Sequence, residues 1–334
     1  ETDTAMANYT GGSKDTEMKF SEIISDGKDN YRNVILNSLS TGFLASSLMW
    51  VKEHEPENYE KTRYVMFPKD YIRYRMCGEI GTEMSDASSG AIFDTKKRQW
   101  AWDLIEKLGL KKRFPGSHES CDIAGQVSGE CEEQTGLKAG TLIRIWRRRY
   151  FDDGRWKRNH CSGNPGSNIG TACQISGAFD HPVYDPKFRT NTFCHVKKDL
   201  WLLMGAHLSG GVALKWLMNQ MLEMKSYDDM TALAGTVPAG SEGLVFLPYL
   251  SGERTPYNDP EAKGIYFGMT LKHTKAHMIR STIGRDCVRT SQFIGNFQRP
   301  RYFVPKNYCV RRGSEKPSLS SDAGGYSEWA DLYQ

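Results

Sequence analysis

The densest set of chemically capable side chains lies between Arg144 and Arg158. There Arg147, Arg148, Arg149, Arg155 and Lys157 interleave with Trp146, Tyr150, Phe151 and Trp156. Guanidinium groups neutralise phosphates and aromatic rings stack on bases, so a single-stranded nucleic acid is the ligand such a run could take. The whole chain carries a net charge of only +4 over 334 residues, too little to draw a polyanion by itself. One short basic run is more often a solvated face, and no nucleic-acid partner is expected. Asp152 and Asp153 have no neighbour that would raise a carboxyl into the range of a general base. They read as a solvated turn.

Other chemistries are bounded by composition. Eight cysteines, at positions 77, 121, 131, 161, 173, 194, 287 and 309, include no Cys-x-x-Cys pair. Neither a metal site nor a disulfide framework is expected, and reduced thiols in the cytoplasm are. Charged residues make up 25% and apolar ones 39%, with a mean hydropathy of −0.58. No apolar run approaches the ~18 residues of a membrane span, so no membrane partner is expected. The N-terminus has no basic-then-apolar leader pattern. Because residue 1 is Glu1, the chain is expected to be a fragment or a processed product. Its length allows two domains.

The positioning elements follow from periodicity. Leu44, Leu48 and Val51 have helical spacing, closed by Pro56. Arg63–Phe67 reads as a strand. Pro68 opens a short helix over Lys69–Met76 that Gly78 ends. Ser85–Gly90 reads as a polar loop, and Thr95–Leu108 as a helix with Trp102, Ile105 and Leu108 on one face. In the second half, Leu203–Met224 is expected to be a helix with Gly210 and Gly211 near its start, and Tyr227–Leu233 a shorter one. Leu244–Leu250 reads as a strand that runs into a turn-rich loop, Ser251–Lys263. A helix then carries Ala276, Ile279 and Ile283, after which the period is lost.

Gly264-x-Tyr266-x-Gly268-Met269, then seven residues, then His277-Met278-x-x-Ser281-Thr282-Ile283 resembles the second signature of the FGGY carbohydrate kinases. Further segments, in family order, are similar to that family and most closely to its xylulokinase group. They are Trp50–Pro56, Pro68–Tyr71, Ser85–Ser88, Asn168–Thr171, Thr192–His195 and Leu247–Tyr249. The resemblance implies an α/β fold of two ribonuclease-H-like domains of the actin and sugar-kinase superfamily, incomplete in this chain. Residues 1–145 would be the remnant of the N-terminal domain, 146–166 a hinge segment, and 167–334 the nucleotide-side domain. The implied reaction moves the γ-phosphoryl group of ATP, with Mg²⁺, onto a hydroxyl of D-xylulose or a related ketose or polyol. Such a transfer is mostly positioning and charge neutralisation, with a carboxylate taking the hydroxyl proton. The resemblance makes Gly170 and Thr171 a phosphate-contacting turn, for which an ordinary turn is the plainer reading. It makes Gly210 and Gly211 a place where nucleotide passes close to a helix start, for which close helix packing is the plainer reading.

Departures from the family pattern are as informative. Ser47 stands where the first signature has Lys, and Gly284 where the second has an acidic residue or Gln. The family's Asp-x-Gly-Thr phosphate loop is expected ahead of residue 1. The Gly-Gly-Gly-Asp segment that supplies the catalytic base is absent, and its place falls at Arg149 and Tyr150. One permitted coding of Ile145–Tyr150, ATA TGG CGG CGG CGA TAC, gives Tyr-Gly-Gly-Gly-Asp when read one base later. A Trp codon followed by an Arg or Lys codon must yield Gly in that frame, and Trp146 and Trp156 both put glycine where the family has it. Gly284–Val288 likewise shifts to Glu-Gly-Ile-Val-Tyr, and Lys306–Tyr326 to a stretch that resembles the adenine loop. Residues 146–166 and 284–334 are therefore expected to be out of frame, and the chain as written inactive. A diverged, non-catalytic sugar- or nucleotide-binding protein is the alternative. Oligomeric state is not legible.

Overall fold

The structure is a computed structural model that describes residues 14–25, 31–145, 166–169, 172–257, 259–284 and 309–312. The readings made above on 146–162, on Gly170 and Thr171, and on most of 285–334 lie outside the described residues. Contacts divide the chain into two compact units, Glu1–His160 with Ala178–Leu203, and Cys161–Gly177 with Met204–Gln334.

In chain order the elements up to residue 145 are α1 (Lys14–Ser25), α2 (Arg32–Ile35), α3 (Leu44–His54), α4 (Pro56–Lys61), α5 (Pro68–Cys77), β1 (Thr82–Glu83), α6 (Met84–Ala87), β2 (Phe93–Asp94), β3 (Gln99–Trp100), α7 (Trp102–Lys107), β4 (Ser117–His118), β5 (Ile123–Gln126), α8 (Gly129–Thr135) and β6 (Leu142–Arg144). After residue 165 come β7 (Gly166–Ile169), β8 (Cys173–Phe179), β9 (Asn191–Cys194), β10 (Trp201–His207), α9 (Gly211–Trp216), α10 (Tyr227–Ala234), β11 (Val245–Pro248) and β12 (Gly264–Phe267). Helix α11 spans 275–284, and β13 is Cys309–Arg312.

The first unit is organised by α3 and α7. Leu48 and Val51 of α3 bury the expected face, and Ala45 and Met49 join it in a core with Phe20, Ile92, Leu104 and Ile105. Helix α3 ends at His54, and Pro56 takes the first turn of α4. The Trp100 ring packs edge-on to Phe93 at 5.3 Å and tilted against Phe114 at 4.8 Å. Its indole N–H donates to the Pro115 carbonyl at 2.8 Å, so the only polar atom of that buried ring is satisfied. In this unit β9 lies beside β10, closed by the His195 N–H donating to the Leu200 carbonyl at 2.9 Å.

In the second unit β7 pairs antiparallel with β8 and parallel with β13, and β10 follows on the other side of β8. Helix α9 continues into a π turn, Leu217–Met221. Leu217 and Met218 bury against Met230 and Ala234 of α10 and Ile279 of α11. Of the methionines on this face, Met218 is core and Met221 is exposed. The hairpin β11–β12 lays Phe246 between Tyr266, at 4.2 Å, and Trp216, at 6.5 Å between ring centroids. Thr274 stands just before α11, and its N–H donates to the His277 Nδ1 at 3.2 Å, the reach back to the helix start that Glu or Gln makes in a capping box.

Four expectations are corrected. Arg63–Phe67 forms no strand; its one cross-chain tie is the Val65 N–H to the Arg113 carbonyl at 2.9 Å. The helix expected from Thr95 begins only at Trp102. Asp94 accepts the N–H groups of Lys96 and Lys97 at 3.1 and 2.9 Å, which makes 95–98 the turn of the β2–β3 hairpin. Ser85–Gly90 is no exposed loop but two short helical turns, buried at Ser85 and at 87–90. Leu203–His207 is strand, and the helix starts at Gly211. Residues 202–207 are buried throughout, and a run buried on every side has no period to tell strand from helix.

Candidate functional site

The candidate site is built at the end of β10. The chain leaves that strand at His207, passes Leu208 and Ser209, and enters Gly210 with φ −98° and ψ −122°. A Cβ at 210 would stand 2.8 Å from the carbonyl carbon of Ala172 and 3.0 Å from the nitrogen of Cys173. Backbone therefore occupies the space that any side chain at 210 would need. Ala172 is the first described residue after Gly170 and Thr171. The fold thus brings the Gly210–Gly211 turn against the residues that directly follow the other glycine turn singled out from sequence.

A carboxylate braces this strand end. The Glu253 side chain is fully buried, and its Oε1 accepts the Leu208 N–H at 3.2 Å and its neighbour Arg254 N–H at 2.9 Å. The Nδ1 of His207 lies 3.7 Å from the same oxygen. Glu253 is itself held by two main-chain hydrogen bonds with Asp259, of 2.7 and 2.9 Å. Two residues on, the Thr255 N–H donates to the Ala206 carbonyl at 3.1 Å, and its Oγ1 accepts the Ala206 N–H at 3.3 Å. The segment 253–255 therefore continues the ladder of β10, in part with side chains. The buried main-chain groups of Ala206 and the part-buried N–H of Leu208 find partners there.

The first unit gathers other motif residues into a polar knot. Asp70, fully buried, accepts from Lys69 at 2.7 Å, Arg73 at 2.9 Å and Thr82 Oγ1 at 2.6 Å. Lys69 also reaches Asp86 at 3.2 Å, and Arg73 donates to the Gly81 carbonyl. Glu83 caps α6 through the N–H groups of Ser85 and Asp86 and accepts from the Ser120 hydroxyl. Burial pushes its carboxyl above the usual range, against the pull of Ser120, Ser85 and the Lys69 ammonium. Ser88 Oγ accepts the Cys194 N–H at 3.0 Å, so the Ser85–Ser88 and Thr192–His195 motifs meet. Burial pushes the Cys194 thiol up to about 12, which makes it a packed and inert group. Ser47, where the family has Lys, closes its hydroxyl onto the Phe43 carbonyl at 3.2 Å.

Of the residues singled out from sequence, Gly210 and Gly211 are seen at the end of β10, while Gly170, Thr171, Arg149 and Tyr150 lie outside the described residues. The observed reason for glycine at 210 is close backbone packing. Among the described residues, no group of three or more His, Cys, Asp and Glu side chains is arranged to hold a metal ion, and no helix is long and apolar enough to cross a membrane. Sequence reasoning missed Glu253, Thr255 and His207. Glu253 stands in Gly252-Glu253-Arg254-Thr255, inside the stretch that its turn formers marked only as loop. Its burial depends on a strand some 45 positions earlier.

Similarity to known proteins covers most of the chain. Two family models match, the N-terminal domain of the FGGY family of carbohydrate kinases over residues 13–146 and its C-terminal domain over 167–302. A xylulose kinase of Bacillus subtilis (strain 168) is 31% identical over 254 residues, 76% of this chain and 51% of that protein. The xylulose kinase of Escherichia coli (strain K12) is 31% identical over 258 residues, 74% of this chain and 51% of that one. The crystal structure of ligand-bound xylulose kinase from Lactobacillus acidophilus superposes with a TM-score of 0.82 at 22% identity, covering 94% of this chain and 67% of that one. The chain spans about half the length of the two sequence relatives.

Proposed function

The chain belongs to the FGGY family of carbohydrate kinases and has its two-domain ribonuclease-H-like fold, and on that premise we propose that its gene encodes an ATP-dependent sugar kinase acting on D-xylulose or a related ketose or polyol. The observation that carries the reading is the close packing at the Gly210–Gly211 turn. The backbone of Ala172 and Cys173 packs on Gly210 just past the end of β10. A main chain fixed by such packing, with no side chain at 210 or 211, suits the close approach of phosphates. ATP, when bound, supplies the γ-phosphoryl group, and Mg²⁺ offsets its charge. The residues of this chain orient the phosphates and the strand end that faces them.

The chain as written has no base for the sugar hydroxyl. Arg149 and Tyr150 occupy the place of the family's Gly-Gly-Gly-Asp, and neither can take that proton at neutral pH. We attribute this to a reading-frame shift that begins near codon 145. Sequencing the gene across codons 144–164 tests it. One base gained or lost there is the expected result. An uninterrupted frame, with peptides recovered from Arg144–Asn164, would replace the frameshift by a diverged, non-catalytic family member. The substrate is tested by offering the frame-restored protein D-xylulose, gluconate and glycerol with ATP. Turnover of gluconate or glycerol without D-xylulose would remove the ketopentose assignment.

A further inference from the structure

We propose that Glu253 is a positioning residue for the phosphate-side turn Ser209–Gly211, acting through the main chain of β10. The inference rests on the nucleotide reading above. Phosphates held by peptide N–H groups need those groups fixed beforehand, because each free torsion must otherwise be frozen on binding. A strand end is where that order is normally lost, since the ladder stops and the next N–H has no partner. Here the ladder does not stop at His207. Thr255 satisfies both main-chain groups of Ala206, and Glu253 takes the N–H of Leu208, two residues before Gly210.

A carboxylate beside a phosphate site would repel its ligand if its charge were open to it. In this structure the charge is turned inward. One oxygen, Oε1, takes both N–H groups and faces the His207 ring, and the side chain is fully buried. Glu253 is thereby a brace for the strand end and not a contact for the nucleotide. Its backbone is fixed in turn by the paired bonds to Asp259. Gly210, seated on Ala172 and Cys173, clamps the other end of the same four-residue passage.

The test uses the full chain and two variants. Glu253→Gln keeps an acceptor oxygen at the same reach, while Glu253→Met keeps the volume and removes the acceptor. Hydrogen exchange at 206–211 and affinities for MgATP and inorganic tripolyphosphate are measured for each. In Glu253→Met, exchange at 206–211 is expected to rise, and both affinities to fall by about tenfold, since two part-buried donors lose their partner. Glu253→Gln is expected to restore both readouts to within about threefold of the unmodified chain. If Glu253→Met does not fold, Thr255→Val, which removes one acceptor of the same ladder, should show the same pattern at smaller amplitude. Unchanged exchange and affinity in the folded variant would overturn the proposal. So would losses that follow melting temperature and are not restored by Gln, which would mark a merely structural role. An unmodified chain that binds neither ligand would instead overturn the nucleotide reading, and with it the phosphate role. Exchange in the variants would then still report whether Glu253 orders the strand end.

Discussion

Asp70 and Glu253 are both fully buried carboxylates, and they are satisfied in opposite ways. Asp70 is surrounded by side chains, with Lys69, Arg73 and Thr82 converging on its two oxygens. Glu253 is met chiefly by the main chain, with two peptide N–H groups on one oxygen and the His207 ring beside it. The first arrangement ties α5 to β1 and α6 and is a fastening of the fold. The second spends its hydrogen bonds on a strand end that leads into Gly210. A buried charge that neutralises other charges points to architecture, while one that orders open backbone points to a site.

The largest effect is expected from the fastening. Asp70→Ala strands the Arg73 guanidinium and part of the Lys69 ammonium in the interior, at a cost of about 3–5 kcal/mol. Urea titration of variant and parent measures it. A loss under about 1 kcal/mol would mean the knot is dispensable and the contrast with Glu253 unfounded. Next in size is Gly210→Ala. Its methyl group meets backbone on the Ala172 side, and overpacking of this kind costs about 1–3 kcal/mol. Unlike Asp70→Ala, it should also displace the turn at 209–211, read as faster hydrogen exchange at 206–211.

Glu83 gives a pH-dependent effect. Its folded-state pKa is raised by burial, so the native state holds the proton more tightly than the unfolded one. The stabilisation is complete below the unfolded value, about 4.3, and is lost as pH rises through the higher folded value. The difference in unfolding free energy between parent and Glu83→Gln should therefore fall as pH is raised from about 4, then level off. A difference that rises with pH would show that the Ser85, Asp86 and Ser120 donors outweigh burial. Smaller still is the contrast between thiols. In the native protein, iodoacetamide should modify the exposed Cys121 and spare the buried Cys194, whose thiol sits at about 12; peptide mass spectrometry reads both. The smallest is His277→Gln, which keeps an acceptor for the Thr274 N–H; its melting temperature at neutral pH should match that of the parent.

Local punctuation made part of this fold legible in the sequence. Pro68 and Gly78 mark both ends of α5 because one fixes φ and the other accepts φ +75°. The spacing of Leu48 and Val51 marks the buried face of α3. What stayed hidden depends on partners far along the chain. Ser85–Gly90 looks like a loop until Glu83 caps it and Cys194 closes on Ser88. Residues 202–207 look helical because burial on every side erases the alternation of a strand. Residues 178–203 lie within the match of the C-terminal family model, yet they group with the first unit by contacts. The glycines at 210 and 211 were visible from sequence; the carboxylate that braces them was not, because no short-range pattern links position 253 to 208.

We propose that a family sugar kinase has lost its base where Arg149 and Tyr150 stand in the sequence. The most direct measurement is sugar-dependent ADP formation from ATP with D-xylulose, run on the chain as written and on a restored protein that carries Tyr-Gly-Gly-Gly-Asp at that place, the tail back in frame and the N-terminal lobe with its phosphate loop. The account predicts no sugar-dependent turnover by the first and clear turnover by the second. Turnover by the chain as written, or none by the restored protein with any ketose or polyol, would contradict it.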